Sequence, residues 1–214
     1  NILEKIDDWH FEERLSKEFE SIGFFISDHP LNQFKEIFSE YKIISYADFN
    51  LNKDIKDSNI AATLLKIQEK KTQKGNSYAI IKCTDLSSVF ELFIFSDILE
   101  LNREILIEGN SLFITLSKSL TDEENRFKRI NVKKITSIKN LLDTPINTVK
   151  FNLKSANNIH ELSTKLTNEN GNSNVEIELI NEDKKLMFKL KNKRQIDRKS
   201  LNTIKNKDIS TIIN

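Results

Sequence analysis

The sequence has little of what disulfide frameworks, phosphate-binding loops and membrane spans require. One cysteine, four glycines and two prolines occur in 214 residues. The lone Cys83 excludes an intramolecular disulfide and a multi-cysteine metal site, and it favours a reducing compartment. The glycines are isolated, so the sequence contains no glycine-rich phosphate loop. No apolar run approaches the ~18 residues of a membrane span and no signal-peptide pattern opens the chain, so we expect a cytoplasmic protein without a membrane partner.

Side chains that carry catalysis are equally scarce. His10, His29 and His160 lie far apart without ligand spacing, which argues against a metal site. Nucleotidyl transfer needs clustered carboxylates that hold two metal ions. The acidic pairs Asp7-Asp8 and Glu12-Glu13 instead fall on exposed positions of a predicted helix. We therefore expect no catalytic residue, no metal and no cofactor in this segment.

The near-neutral net charge of +1 hides an uneven distribution. Residues 1–40 carry ten acidic and four basic residues, whereas 126–139 carry six basic residues and no acid. Residues 184–199 carry eight basic residues and one acid. Blocks of one sign suggest a partner of the opposite sign, but a solvated face explains them equally well. The high content of Lys, Asn and Ile also leaves open a bias in genome composition.

Helical periodicity is confined to the start of the chain and a few short later stretches. Apolar residues recur at helical spacing over 11–22, and Gly23 follows where that helix should end. A second helix is predicted to open at Pro30, with Asp28 as its cap. Its predicted buried stripe consists of Leu31, Phe34, Phe38 and Tyr41.

Alternating apolar residues replace the helical period near residue 58. A turn at Lys70–Asn76 joins the first two predicted strands, and a helix from an N-cap at Ser96 to about Ile105 separates the third from the fourth. Three strands, a helix and two strands form the order of an OB-fold barrel. A generic antiparallel barrel or sandwich is the alternative. The predicted strands are 58–67, Ser77–Thr84, Val89–Phe95, Ser111–Leu120 and Phe127–Ile138.

A linker at 141–147 precedes a smaller predicted unit that contains a strand, a helix, a hairpin, a second helix and a terminal strand at Ile209–Ile213. The fold class is therefore mainly β with α+β parts. We divide the chain into an N-terminal helical segment (1–56), a five-stranded OB-fold barrel (57–140) and a small α/β C-terminal domain (146–214).

An OB barrel binds single-stranded nucleic acid on its second and third strands and the flanking loops. This binding needs cations along the backbone path and aromatic rings that stack on bases. Alternation in the third strand assigns Phe90, Leu92 and Ile94 to the core and leaves Phe93 for stacking. The candidate nucleic-acid-binding residues are Lys70, Lys71, Lys74, Asn76, Tyr78, Phe93, Arg126, Lys128 and Arg129, with Lys133 and Lys134 further along the basic fifth strand.

Two local patterns resemble the alpha subunit of bacterial replicative DNA polymerase III. The first, ESIGFFISDHPL over 20–31, is similar to the family's Glu-x-Leu-Gly-Phe-Tyr-Leu-Ser-Gly-His-Pro-Leu, with Phe25 and Asp28 as departures. The second, KKTQKGN over 70–76, resembles the family's basic loop between the first two OB strands. It is followed by a strand ending in Asp85 and by Phe95-Ser96 after the third strand. The patterns occur in the family's order and cover roughly 10–140.

The resemblance implies a C-terminal fragment of the polymerase whose catalytic carboxylates and Mg²⁺ lie upstream of Asn1. It implies that the OB domain guides single-stranded template DNA and that residues 146–214 dock the tau subunit of the clamp loader. The sliding clamp would bind a motif outside this chain, because QFKEIF at 33–38 has the wrong spacing.

Two alternatives to template guidance remain open. One is a protein–protein scaffold whose OB barrel binds no nucleic acid, which the acidic start of the chain favours. The other is an anticodon-binding OB module of a tRNA-charging enzyme, in which the segment GFFISDHPL would have no place.

Overall fold

The computed structural model describes residues 9–120, 128–166, 170–181 and 184–213, with only the backbone described at 120, 128, 181 and 184. The chain forms two compact units. The first combines residues up to Lys35 with Ile44–Lys139, and the second combines Glu36–Ile43 with residues from Asn140 onward. The segment 36–43 therefore groups with the C-terminal part of the chain, although it precedes the first strand.

The predicted N-terminal helix is confirmed as α1 (Phe11–Ile22). Gly23 ends it in the left-handed region at φ 78°, where its N–H donates to the Phe19 carbonyl oxygen. The second predicted helix is a 3-10 helix over Pro30–Ile37, because its backbone hydrogen bonds close over three residues. Of its predicted buried stripe, Leu31 and Phe34 are buried, whereas Phe38 and Tyr41 lie beyond the helix and are half-buried.

The strands of the first unit lie close to their predicted positions, and two short helices were not predicted. α3 begins at Ser96 with Phe95 as its N-cap and ends at Asn102, so the predicted cap at Ser96 and end near Ile105 were wrong. The unpredicted helices are α2 and α4, the latter lying partly within the predicted linker. The elements are α2 (Tyr46–Leu51), β1 (Asp57–Lys71), β2 (Ser77–Thr84), β3 (Val89–Phe95), α3 (Ser96–Asn102), β4 (Ser111–Leu120), β5 (Lys128–Ser137) and α4 (Ile138–Asp143).

The five strands form an antiparallel sheet in the order β3-β2-β1-β4-β5. β1 pairs with β4 through its first half and with β2 through its second half, and the register shifts between Leu64 and Lys66. The edge strands β3 and β5 contact each other, and α3 packs against both. The sheet therefore curls onto itself with a helix between its third and fourth strands, which is an OB-like arrangement.

The core of the first unit fills the concave side of this sheet. Tyr46 of α2 stacks on Phe90 with ring centroids 3.9 Å apart and an interplanar angle of 7°. Alternation along β3 places Phe90, Leu92 and Ile94 in this core, as predicted. Cys83 lies there too, fully buried, and burial raises the pKa of its thiol to about 12.

The second unit contains a four-stranded mixed sheet in the order β8-β7-β6-β9. Side chains from the sheet and from two helices form its core. β6 pairs parallel with β7 and antiparallel with β9, and alternate residues of β6 are fully buried. The predicted strand–helix–hairpin–helix–strand order is confirmed. The elements are β6 (Thr148–Leu153), α5 (Asn157–Lys165), β7 (Asn174–Asn181), β8 (Lys184–Lys189), α6 (Arg198–Ile204) and β9 (Ile209–Ile213).

Residues 36–43 complete this unit along β9. The Ile213 N–H donates to the Glu40 carbonyl oxygen at 2.7 Å. The buried Glu40 carboxylate forms ion pairs with Arg198 and Lys205. Arg198 also donates to the Tyr41 hydroxyl. The segment is thereby held by both backbone and charged side-chain contacts.

Candidate nucleic-acid interface

The basic loop that the sequence predicted begins later than expected, because β1 continues through Lys71. Lys70 pairs with Tyr78 and Lys71 with Ser77, so both lysines lie on a strand and not in a loop. Cross-strand pairing is a non-local contact that the period of β1 alone does not reveal. Lys74 and Asn76 do lie in the turn.

The turn itself is compact and hydrogen-bonded. The Gly75 N–H donates to the Thr72 carbonyl oxygen and the Thr72 N–H to the Asn76 carbonyl oxygen, both at 2.9 Å. Gly75 takes φ 86°, a conformation that disfavours residues with a Cβ atom. The turn therefore presents Lys74 at the tip of the hairpin, beyond the exposed Lys70 and Lys71.

One row of outward-facing residues crosses the first unit from β1 to β5. Lys70 lies opposite Tyr78, and Tyr78 lies opposite Phe95. The Arg129 guanidinium of β5 lies over the Phe95 ring, 4.8 Å from its centre, at the place where β3 and β5 meet. A cation at this distance is attracted to the ring face. The row thus places two aromatic rings between two cations, on four strands.

A parallel row contains the exposed ring that the sequence predicted. Gln68 of β1 lies opposite Ile80, which lies opposite Phe93. Phe93 is 51% exposed, whereas Phe90 is buried. The prediction that the two rings lie on opposite faces of β3 is therefore confirmed. Phe93 and Phe95 share one face of β3, two residues apart, which is the spacing of side chains on the same side of a strand.

Positive charge is in excess on this outward face. The third row contains Lys66 opposite Lys82 and Lys82 opposite Glu91. With Lys70 and Arg129, the three rows hold four cations and one carboxylate. We call the outward side chains of these three rows the β1–β3 face: Lys66, Gln68, Lys70, Tyr78, Ile80, Lys82, Glu91, Phe93, Phe95 and Arg129.

The structure brings together only some of the predicted site residues. Four of them belong to the β1–β3 face: Lys70, Tyr78, Phe93 and Arg129. Three others lie beside this face at the end of the hairpin: Lys71, Lys74 and Asn76. Arg126 lies outside the described residues, as does the side chain of Lys128, whose backbone belongs to β5. Lys133 and Lys134 fall where the register of β5 shifts, with Lys134 opposite Thr115.

Sequence reasoning missed several residues of this face. Phe95 is 42% exposed and lies two residues after Phe93 on the same strand, so the alternation that selected Phe93 could have selected it as well. Lys82 and Ile80 follow from the same alternation on β2, next to the buried Ile81. Lys66 could not be found this way, because the register shift after Leu64 interrupts the alternation of β1.

The Asp85 carboxylate holds the turn that leads into β3. Its Oδ1 accepts hydrogen bonds from the Ser87 and Ser88 N–H groups at 2.8 and 2.7 Å. Its Oδ2 accepts the Tyr46 N–H at 2.7 Å. Asp85 is buried, so this polar cluster fixes the start of β3 from inside the unit.

Within the described residues, no group of three or more His, Cys, Asp or Glu side chains could hold a metal ion. None of the helices in that part of the chain is long and apolar enough to cross a membrane. The β1–β3 face itself presents four cations and the rings of Tyr78, Phe93 and Phe95.

Comparison with protein-family models finds no match. Among curated proteins, the chain is similar to DNA polymerase III subunit alpha of Rickettsia felis, with 32% identity over 146 residues, 67% of this chain and 12% of the relative. The same subunit of Rickettsia bellii is 33% identical over 125 residues, 58% of this chain and 10% of the relative. That of Borreliella burgdorferi is 26% identical over 194 residues, 86% of this chain and 16% of the relative.

The chain thus spans between 10% and 16% of the length of these relatives. The match to the Borreliella protein extends over most of the chain. Each of the three relatives is the same subunit from a different bacterium, and the chain belongs to the DNA polymerase III alpha subunit family.

Proposed function

We propose that this chain acts in bacterial DNA replication as a non-catalytic part of a DNA polymerase III alpha subunit, and that its first unit binds single-stranded DNA. The observation that carries the proposal is the row Lys70, Tyr78, Phe95 and Arg129, with the exposed Phe93 beside it. Sites for single strands combine a basic path for the phosphates with rings on which bases stack. The β1–β3 face has both.

The proposed path runs from the hairpin end towards β5. Lys70, Lys71 and Lys74 would contact phosphates at one end and Arg129 at the other. Phe93 and Phe95 would offer stacking surfaces between them. Base–aromatic stacking depends little on sequence, because every base has a π face. Template guidance requires such tolerance.

The affinity of the isolated chain is expected to be modest. Four to six phosphate contacts, at a log–log slope of roughly −0.7 each, give a salt slope of about −3 to −4. In a complete polymerase, attachment to neighbouring domains raises the effective concentration of DNA, so a weak contact suffices.

We further propose that the second unit docks the tau subunit of the clamp loader. The support is the position of this unit after the OB-like unit, which matches the order implied by the sequence resemblance. Contact with the sliding clamp would use a motif outside this chain.

The test of DNA binding is fluorescence anisotropy with a labelled oligo-dT strand and a matched duplex, measured over a salt series. We expect preference for the single strand and a slope near −3 to −4. Reversing Lys70, Lys71 and Lys74 to Glu should weaken binding at least about tenfold, because three phosphate contacts become repulsive.

The matched control reverses Lys17, Lys35 and Lys139, three lysines of the first unit outside the β1–β3 face. Equal losses in both triple variants would mean that net charge alone drives binding. Absence of binding at low salt would reject the DNA proposal and favour the protein–protein scaffold.

A further inference from the structure

The two edges of the second sheet differ in how they are covered. At one edge, the segment 36–43 lies beside β9, and its Glu40 carbonyl oxygen accepts a hydrogen bond from the Ile213 N–H. At the other edge, β8 pairs with β7 alone, and no further strand among the described residues lies beside it. An uncovered edge presents backbone groups that can pair with an added strand.

The hydrogen-bonding pattern identifies which backbone groups of β8 point outward. The Leu190 N–H donates to the Val175 carbonyl oxygen at 2.9 Å, so residues at even positions of β8 face β7. Hydrogen-bonded and non-hydrogen-bonded pairs alternate in an antiparallel ladder. The N–H and C=O groups of Lys185, Met187 and Lys189 therefore point away from the sheet.

The side chains along this edge are unusually apolar for an exposed strand. Leu186, Met187 and Phe188 follow one another and are 47%, 66% and 46% exposed. Leu186 and Phe188 lie on the face that bears the buried core, opposite Leu179 and Ile177. A strand added beside β8 would cover both side chains and extend that core.

The charge of the edge selects the kind of partner. Residues 184–194 contain six basic residues and no acid. Two of these cations pair within the sheet, Lys185 with Glu178 at 3.0 Å and Lys189 with Glu176 at 3.7 Å. The excess of basic residues repels a second copy of the same edge and attracts an acidic segment.

We propose that the β8 edge binds an extended, acidic segment of a partner protein, which adds to the sheet as a fifth strand. Backbone pairing with Lys185, Met187 and Lys189 would supply the register. Alternate apolar side chains of the segment would cover Leu186 and Phe188. The proposal concerns the second unit and is independent of DNA binding by the first.

The test is selection of a displayed library of random dodecapeptides on the full chain, followed by synthesis of the most enriched peptides. We expect enriched peptides to carry acidic residues that alternate with apolar ones. Their binding should protect the backbone amides of Lys185, Met187 and Lys189 from hydrogen exchange. No enrichment, or enriched peptides without acidic residues, would overturn the proposal.

Met187→Pro is the decisive variant, and Met187→Ala is its control. Proline is tolerated at an edge position whose N–H faces solvent, so the sheet should fold, as circular dichroism can verify. The proline variant should lose peptide affinity at least tenfold, about 1.4 kcal/mol, whereas the alanine variant should keep most of it. Equal binding by both variants would contradict strand addition.

Two further outcomes discriminate the chemistry of the edge. Replacing Lys191 and Lys193 with Glu should lower the affinity of the chain for the acidic peptides. Unchanged affinity would argue that charge does not select the partner. Protection of the same three amides by an oligo-dT strand, without any peptide binder, would assign the edge to nucleic acid and overturn the proposal.

Discussion

The Asp85 carboxylate accepts the backbone N–H of Tyr46 at 2.7 Å, across 39 positions of the chain. The same side chain accepts the N–H groups of Ser87 and Ser88 in the turn before β3. One buried carboxylate therefore ties the start of α2 to the start of the strand that carries Phe93. The aspartate was recognised in the sequence as part of a family pattern, and the structure shows its physical role.

Replacing Asp85 with Ala should destabilise the first unit by about 2–4 kcal/mol. Hydrogen bonds to a charged acceptor contribute about 1.5–3 kcal/mol each, and the Tyr46 N–H would lose its acceptor. Urea denaturation followed by hydrogen exchange of the β2 and β3 amides measures this change. The exposed Asp54 offers a control, since Asp54→Ala should alter the free energy of unfolding by less than about 0.5 kcal/mol.

Replacing Phe93 with Ala should weaken single-stranded DNA binding by about 1–3 kcal/mol, the range for loss of one stacked base. Stability should change little, because the ring is half exposed. Phe24→Ala is a matched control, because Phe24 is 54% exposed in the first unit but lies outside the β1–β3 face. Equal anisotropy curves for the two variants would remove Phe93 from the proposed path.

Cys83 should resist alkylation in the folded protein. Its thiol is buried, and burial raises the pKa to about 12, so thiolate is scarce at neutral pH. Modification by iodoacetamide should therefore proceed only through opening of the first unit, at a rate that rises with urea concentration. Labelling at the rate of a free cysteine without urea would contradict the buried placement.

Glu178 should make the second unit sensitive to acid. Hydrogen bonds from Lys150, which has the larger effect, and from Lys185 hold the pKa of its carboxyl below the ordinary 4.5. A depressed pKa adds stability above the unfolded value, and this stability is lost as pH falls through the folded value. Glu178→Gln should be less stable than the native chain at pH 7, and the difference should shrink below about pH 4.5.

The measurement is urea denaturation at several pH values, followed by hydrogen exchange of the β6 and β7 amides. Glu104→Gln is a suitable control, because Glu104 is an exposed residue of the first unit. A stability difference for Glu178→Gln that stayed constant from pH 7 to pH 3 would exclude the proposed linkage.

Local sequence patterns predicted the parts of the fold that local physics determines. Alternation along β3 separated Phe93 from Phe90, and the glycine at 23 marked the end of α1, since both depend on neighbouring residues only. The candidate face was predicted in part for the same reason. Its aromatic residues follow strand alternation, but their alignment into rows depends on register.

Non-local contacts account for what the sequence did not reveal. The six-residue helix α2 is supported by Lys118 of β4, whose ammonium donates to the carbonyl oxygens of Phe49, Asn50 and Asn52. Nothing within α2 indicates this partner. The continuation of β1 through Lys71 likewise depends on pairing with β2, and the charge pattern alone suggested a loop.

The segment 36–43 also determines when the second unit can be completed during synthesis. It leaves the ribosome before β1, yet its partner β9 lies near the other end of the described chain. At about 5–20 residues per second, the wait is on the order of ten seconds. For most of that interval the Glu40 carboxylate has neither Arg198 nor Lys205 to pair with, and all five strands of the first unit are made in the meantime. The nascent chain therefore begins its second unit before it makes any strand of the first, and it completes the second unit only after the first has been made.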